Sequence, residues 1–168
     1  MYLKDYRIFR ANNSGNGSAA SFQFVPDKQS LFLTFAKQGE NDSNGNATFT
    51  WKDKESCIVM KLGENDIGEL LACLSGMKGY AGGLKNGNPT GLYHQNANGN
   101  VCLQFKYLDG NDKFPEGKYE MSVSQKVGDA PLKKAIIYVS FGEAIRLKGL
   151  LETVMSKIYS WDSVVVSS

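Results

Sequence analysis

The strongest constraint on this chain is a period-two alternation of apolar and polar residues that breaks twice into helical spacing. Ala20, Phe22 and Phe24 alternate with Ser21 and Gln23, and Pro26-Asp27 marks a turn. Leu31, Leu33 and Phe35 alternate with Phe32, Thr34 and Ala36, and a polar tip from Gly39 to Asn46 leads to Thr48–Trp51. Ile58, Met60 and Leu62 then alternate with Val59 and Lys61. Period two sends successive side chains to opposite faces, so four such runs between turn residues predict four antiparallel strands. Over Glu64–Ser75 the spacing changes. Ile67, Leu70, Leu71 and Leu74 share one helical face, with Asn65 or Asp66 to cap the start and Gly76 to end it.

The order then recurs. After a glycine-rich stretch come Leu92–Gln95, a turn at Asn96–Asn100, and Val101, Leu103, Phe105 and Tyr107 alternating with Cys102, Gln104 and Lys106. Tyr119, Met121 and Val123 alternate with Lys118, Glu120, Ser122 and Ser124; Lys134–Val139 follows, and a helix is predicted over Phe141–Tyr159. Two sheets that each need one covered face fold most simply against one another and the helices. The expectation is an α+β fold with two antiparallel four-stranded sheets, ββββα repeated twice. It forms a single domain over 1–168, made of halves at about 7–76 and 91–161, joined by a connector at 77–90.

Composition removes several functions. No apolar run approaches the roughly 20 residues a membrane helix requires, so no membrane partner is expected. Nineteen Lys+Arg against seventeen Asp+Glu leave +2, too little for a protein held to nucleic acid by phosphate attraction alone. Cys57, Cys73 and Cys102 form no CxxC pair, and His94 is the one histidine, so neither a metal site nor any cofactor is expected. With a single histidine and no Gly-x-Ser-x-Gly elbow, no catalytic residue is assigned and the chain is not read as an enzyme. Gly15-x-Gly17-x-x-Ala20 matches a dinucleotide fingerprint, but a strand follows it where a helix is needed. Three cysteines and no leader-like start predict a reducing, cytoplasmic setting (the host cytoplasm, if viral).

Several strings resemble the plant Whirly proteins. Gly17-Ser18-Ala19-Ala20-Ser21-Phe22 is similar to their Gly-Lys-Ala-Ala-Leu-Ser-Phe stretch, and Trp51-Lys52-Asp53-Lys54 to their Asp-Trp-Ser-Lys-Lys turn. Ile67-Gly68-Glu69-Leu70-Leu71 sits where they carry Ile-Gly-Thr-Leu-Ile, and Tyr119–Gln125 resembles their Phe-Asn-Leu-Ser-Val-Gln strand. The closing helix, ending at Trp161, matches theirs. The resemblance implies two four-stranded sheets packed at an angle, a homotetramer, and binding of single-stranded DNA with little sequence preference. A small transcriptional coactivator and the guide-RNA-binding proteins of trypanosome mitochondria share that architecture. Ser18 stands where the family has lysine, so the resemblance carries the tetramer and no higher assembly. With no organelle transit peptide, it implies a phage, bacterial or archaeal relative.

Sequence-tolerant capture of single strands needs flat apolar surfaces for bases and spaced cations for phosphates. On the phase opposite the core the strands offer Phe32, with Trp51, Tyr93 and Tyr138 at or near strand ends. Lys61, Lys106, Lys118 and Lys126 are interleaved with them, and Gln23, Gln95 and Gln104 supply groups for base edges. The same residues also suit an ordinary wet sheet face, and the sequence leaves both open. Along the last helix Leu147, Leu151, Val154, Met155 and Ile158 form a wide apolar face, expected to meet a second subunit. The function expected is coating or protection of exposed single-stranded DNA in replication, recombination or repair. The alternatives are RNA binding or annealing on the same fold, and a protein-interaction module without nucleic acid.

Overall fold

A computed structural model of the chain describes residues 3–97 and 99–161. Ten strands and two helices follow one another as β1 (Tyr6–Arg10), β2 (Ser18–Val25), β3 (Ser30–Asn41), β4 (Ala47–Phe49), β5 (Ile58–Leu62), α1 (Glu64–Leu74), β6 (Gly83–Lys85), β7 (Asn88–Asn96), β8 (Gly99–Leu108), β9 (Lys118–Lys126), β10 (Lys133–Val139) and α2 (Phe141–Ile158). Every strand pairing is antiparallel. The first sheet runs β1-β2-β3-β5 and the second β7-β8-β9-β10, each followed by its helix. The repeated order expected from the alternation is therefore present.

Each sheet also carries a short fifth strand. β3 outruns β2 and β5, and its free end at Gln38–Asn41 is met by β4. β6 folds onto β7 through Asn86-Gly87, both with positive φ, the conformation a tight two-residue hairpin turn demands. β6 and the turn of this hairpin lie within the 77–90 stretch expected as a connector, and β7 runs on beyond it. The first strand of the first sheet is β1, which the alternation did not reveal, while the run at Thr48–Trp51 supplies only the three-residue β4 and the turn after it. The cap of α1 differs too. Gly63 holds the N-cap position, and Asp66, in the first turn, accepts from its N–H at 2.9 Å.

The inward phases make one continuous core. Ile8, Phe22, Leu33, Phe35 and Met60 from the first sheet meet Leu103, Phe105, Met121, Val123 and Ile137 from the second, with Ile67 and Leu70 of α1. Leu147, Leu151 and Val154 belong to this core, fully buried within the chain, and Met155 and Ile158 pack against it. This corrects the reading of Leu147, Leu151 and Val154 as subunit contacts: they are covered by the chain's own α1 and sheets, while Met155 and Ile158 stay partly exposed. Ile145, 72% exposed, and Phe141 are the large apolar side chains that α2 leaves open to solvent.

Two polar clasps join the halves. Arg10 on β1 donates from Nη1 to Glu143 Oε1 at 3.0 Å and from Nη2 to Glu143 Oε2 at 2.5 Å, and Nη2 also reaches the Tyr138 carbonyl. Glu143 in turn closes the capping box of α2 with Ser140. His94 on β7 lies 3.0 Å from the Asp66 carboxylate at the start of α1, so the lone histidine holds one sheet to the other half's helix.

Candidate nucleic-acid interface

Cross-strand register turns the outward phase of the first sheet into rows of side chains. One row is Gln23, Phe32 and Lys61, directly opposed across β2, β3 and β5. The next is Arg7, Ser21, Thr34 and Val59, and the third Phe9, Ala19 and Ala36. Alternate residues on a strand lie about 6–7 Å apart on one face. The middle of this face is therefore a shallow trough floored by small side chains. Its walls are aromatic. Phe9, Phe49 and Trp51 pack together with centroids 5.4–6.3 Å apart, and the Arg7 guanidinium lies 5.4 Å from the Trp51 ring. Ala19 and Ala36 are buried although they point away from the core, because Phe9 is their neighbour in the same row.

A groove of about 920 Å³ opens beside this trough, where the outward face meets the turns of the second sheet. Phe32, Trp51 and Val59 give it apolar surface and Lys52, Lys54, Lys61 and Lys133 line it, with the Asp53 carboxylate near enough to Lys133 and Cys57 to act on both. A chain of net charge +2 thus sets four cations on one concave surface. Cys57 closes part of it; its thiol donates to the Thr50 carbonyl at 2.9 Å, and burial, with the Asp53 carboxylate nearby, pushes its pKa up.

The sequence-predicted residues fall into two groups. Gln23, Phe32, Trp51 and Lys61 come together on the first sheet and its groove. Tyr93, Gln95, Gln104, Lys106, Lys118, Lys126 and Tyr138 lie on the outward phase of the second sheet instead. There the cations are engaged. Lys106 is 3.3 Å from Glu120, Lys126 donates to the Ala130 carbonyl, and Lys118 rests against the rings of Phe114 and Tyr138. Tyr93 remains well exposed beside Cys102 and Ser124.

Sequence reasoning missed Lys52, Lys54 and Lys133. The first two lie within the Trp51-Lys52-Asp53-Lys54 turn on either side of Asp53, and two basic residues close behind an aromatic were the available signal. Lys133 carried none, since it reaches the groove from the far end of the chain.

No protein-family model matches the chain, and no curated protein matches it in sequence. Solved structures do match. MRP1/MRP2 of Trypanosoma brucei superpose with a TM-score of 0.65 at 11% identity, covering 94% of this chain and 87% of theirs. WHY1 from Arabidopsis thaliana gives 0.61 at 16% identity, over 97% of this chain and 89% of its own. The plant transcriptional regulator PBF-2 gives 0.56 at 15% identity, over 98% and 86%. Identities this low speak for architecture alone: over nearly its whole length, the chain has the fold of the Whirly proteins.

Proposed function

We propose that this chain binds single-stranded DNA with little sequence preference, as a non-catalytic protein that coats or protects exposed strands during replication, recombination or repair. The observation that carries the reading is the groove in which Phe32 and Trp51 stand among Lys52, Lys54, Lys61 and Lys133. Bases stack on the rings, phosphates follow the lysines, and nothing in such an arrangement reads a base edge twice in the same way. The likeness to Whirly strings in the sequence points the same way. A homotetramer is part of this proposal, with its contacts made by side chains other than Leu147, Leu151 and Val154.

Titration with oligo-dT tests it. In a Trp161→Phe variant Trp51 is the one tryptophan left, and its emission should be quenched as the strand binds. Duplex of equal length should bind far more weakly, since paired bases have no free face. Equal affinity for duplex would end the proposal. A matched RNA oligomer in competition separates the RNA alternative, because a site using the 2′-OH prefers RNA.

A further inference from the structure

On the second sheet, one ammonium touches two rings. Lys118 Nζ lies 4.0 Å from the centroid of Phe114 and 3.8 Å from that of Tyr138. Lys118 and Tyr138 are diagonal neighbours on the outward face, since Tyr138 opposes Glu120 across β9 and β10. Phe114 comes from the loop between β8 and β9. That loop is tightly built: Asn111 Oδ1 accepts from the N–H groups of Lys113 and Phe114, and Gly117 N–H donates to the Phe114 carbonyl. Phe114 is therefore held in place over Lys118, yet both rings remain exposed. Among the described residues Lys118 has no carboxylate partner, while its neighbour Lys106 is paired with Glu120.

The geometry points to a base-stacking slot between Phe114 and Tyr138, occupied by Lys118 while the chain is free, and opened when a nucleobase displaces the ammonium onto the adjoining phosphate. This deepens the nucleic-acid reading above and rests on it. Both rings lie about 4 Å from one ammonium, so a flat base that takes its place comes within the roughly 3.5–4.0 Å at which carbon atoms make contact. The exchange costs the lysine its π-face contacts and gives it a phosphate, with the base taking its place on the rings. Lys113, 5.9 Å from the same Phe114 ring, supplies a second cation at the mouth. The occupant is thus one nucleotide of a single strand: a planar base flanked by its negative charge.

The test compares oligo-dT with an abasic phosphodiester chain of the same length, on the parent and on F114A and F114W. F114A should lose roughly 5- to 150-fold in affinity for oligo-dT, the worth of one stacked base, and nothing for the abasic chain. F114W should restore the loss. K118M should bind the abasic chain with a shallower salt dependence, by about 0.7 in log–log slope. The slot is refuted if F114A binds oligo-dT as the parent does, or if it loses equally on the abasic chain, which would make Phe114 a loop support only. A parent that fails to bind oligo-dT at all would overturn the proposed function itself, an outcome visible before any variant is made.

Discussion

If the four groove lysines are the phosphate contacts, the salt dependence of binding is fixed in advance. Each phosphate neutralised on a single strand contributes about −0.7 to the slope of log K against log salt. Lys52, Lys54, Lys61 and Lys133 line the groove, so together they should contribute about −2.8 to the slope of the parent. Through these four contacts, raising salt from 50 to 200 mM weakens binding roughly 50-fold, against 10³–10⁵ for proteins that make six to ten contacts with duplex. Lys61→Met should make the slope shallower by about 0.7, and the loss over the same salt step smaller by a factor of about 2.5. Trp51→Ala should behave differently: affinity falls by about 1–3 kcal/mol at every salt concentration while the slope stays put, because stacking releases no counterions. Fluorescence anisotropy with a labelled oligo-dT between 50 and 400 mM salt reads both. If Lys61→Met and Lys133→Met each leave the slope unaltered, the groove is not where the phosphates run.

The remaining predictions concern the scaffold. A double-mutant cycle between Arg10→Ala and Glu143→Gln should give a coupling of about 1–2 kcal/mol by denaturant unfolding, trimmed from the range for charged hydrogen bonds because Arg10 keeps 38% of its side chain exposed; a coupling near zero would refute the clasp. Burial pushes the Glu143 carboxyl up, but Arg10 and the Ser140 donors outweigh it and hold its pKa below the ordinary glutamate value. A depressed carboxylate contributes stability that is present above its unfolded pKa and lost as pH falls through the folded one. Glu143→Gln should therefore flatten the acid limb of the stability profile while leaving its alkaline side unchanged. Leu147→Ala should cost about 2–5 kcal/mol, since the side chain is wholly inside, whereas Ile145→Ser should leave the monomer's unfolding within about 0.5 kcal/mol; the reverse ranking would restore α2's stripe as a surface. Gly82→Ala should destabilise by more than the roughly 1–2 kcal/mol of a left-handed backbone, because φ is +87° and a Cβ would stand 2.3 Å from the Gly91 carbonyl oxygen; thermal unfolding unchanged from the parent would refute that close approach.

The long alternations were legible because their inward phases are strongly apolar. β2, β3, β5, β8 and β9 all sit where period two placed them. β1 was not, since Tyr6-Arg7-Ile8-Phe9-Arg10 carries aromatics on both phases and a charge on each, and only the Glu143 carboxylate explains Arg10 on the inward phase. The same limit governs the site. The row of Gln23, Phe32 and Lys61 follows from strand phase and register. The groove does not, because it joins the turn after β4 to the connection between β9 and β10, a proximity that no local pattern encodes. The amphipathic stripe of α2 was visible, but a stripe records only that something covers it, and the cover proved to be the chain's own core.

The Arg10–Glu143 clasp also sets an order of events. Among the described elements β1 comes first, yet the carboxylate that neutralises its inward-facing guanidinium arrives only with α2, after all ten strands. Until then the opening strand holds its place by backbone pairing to β2 and by the packing of its side chains on the first half, at the margin of an unfinished sheet. A nascent chain stalled before Glu143 should carry a β1 open to hydrogen exchange and to proteases, and release of the final helix should close it.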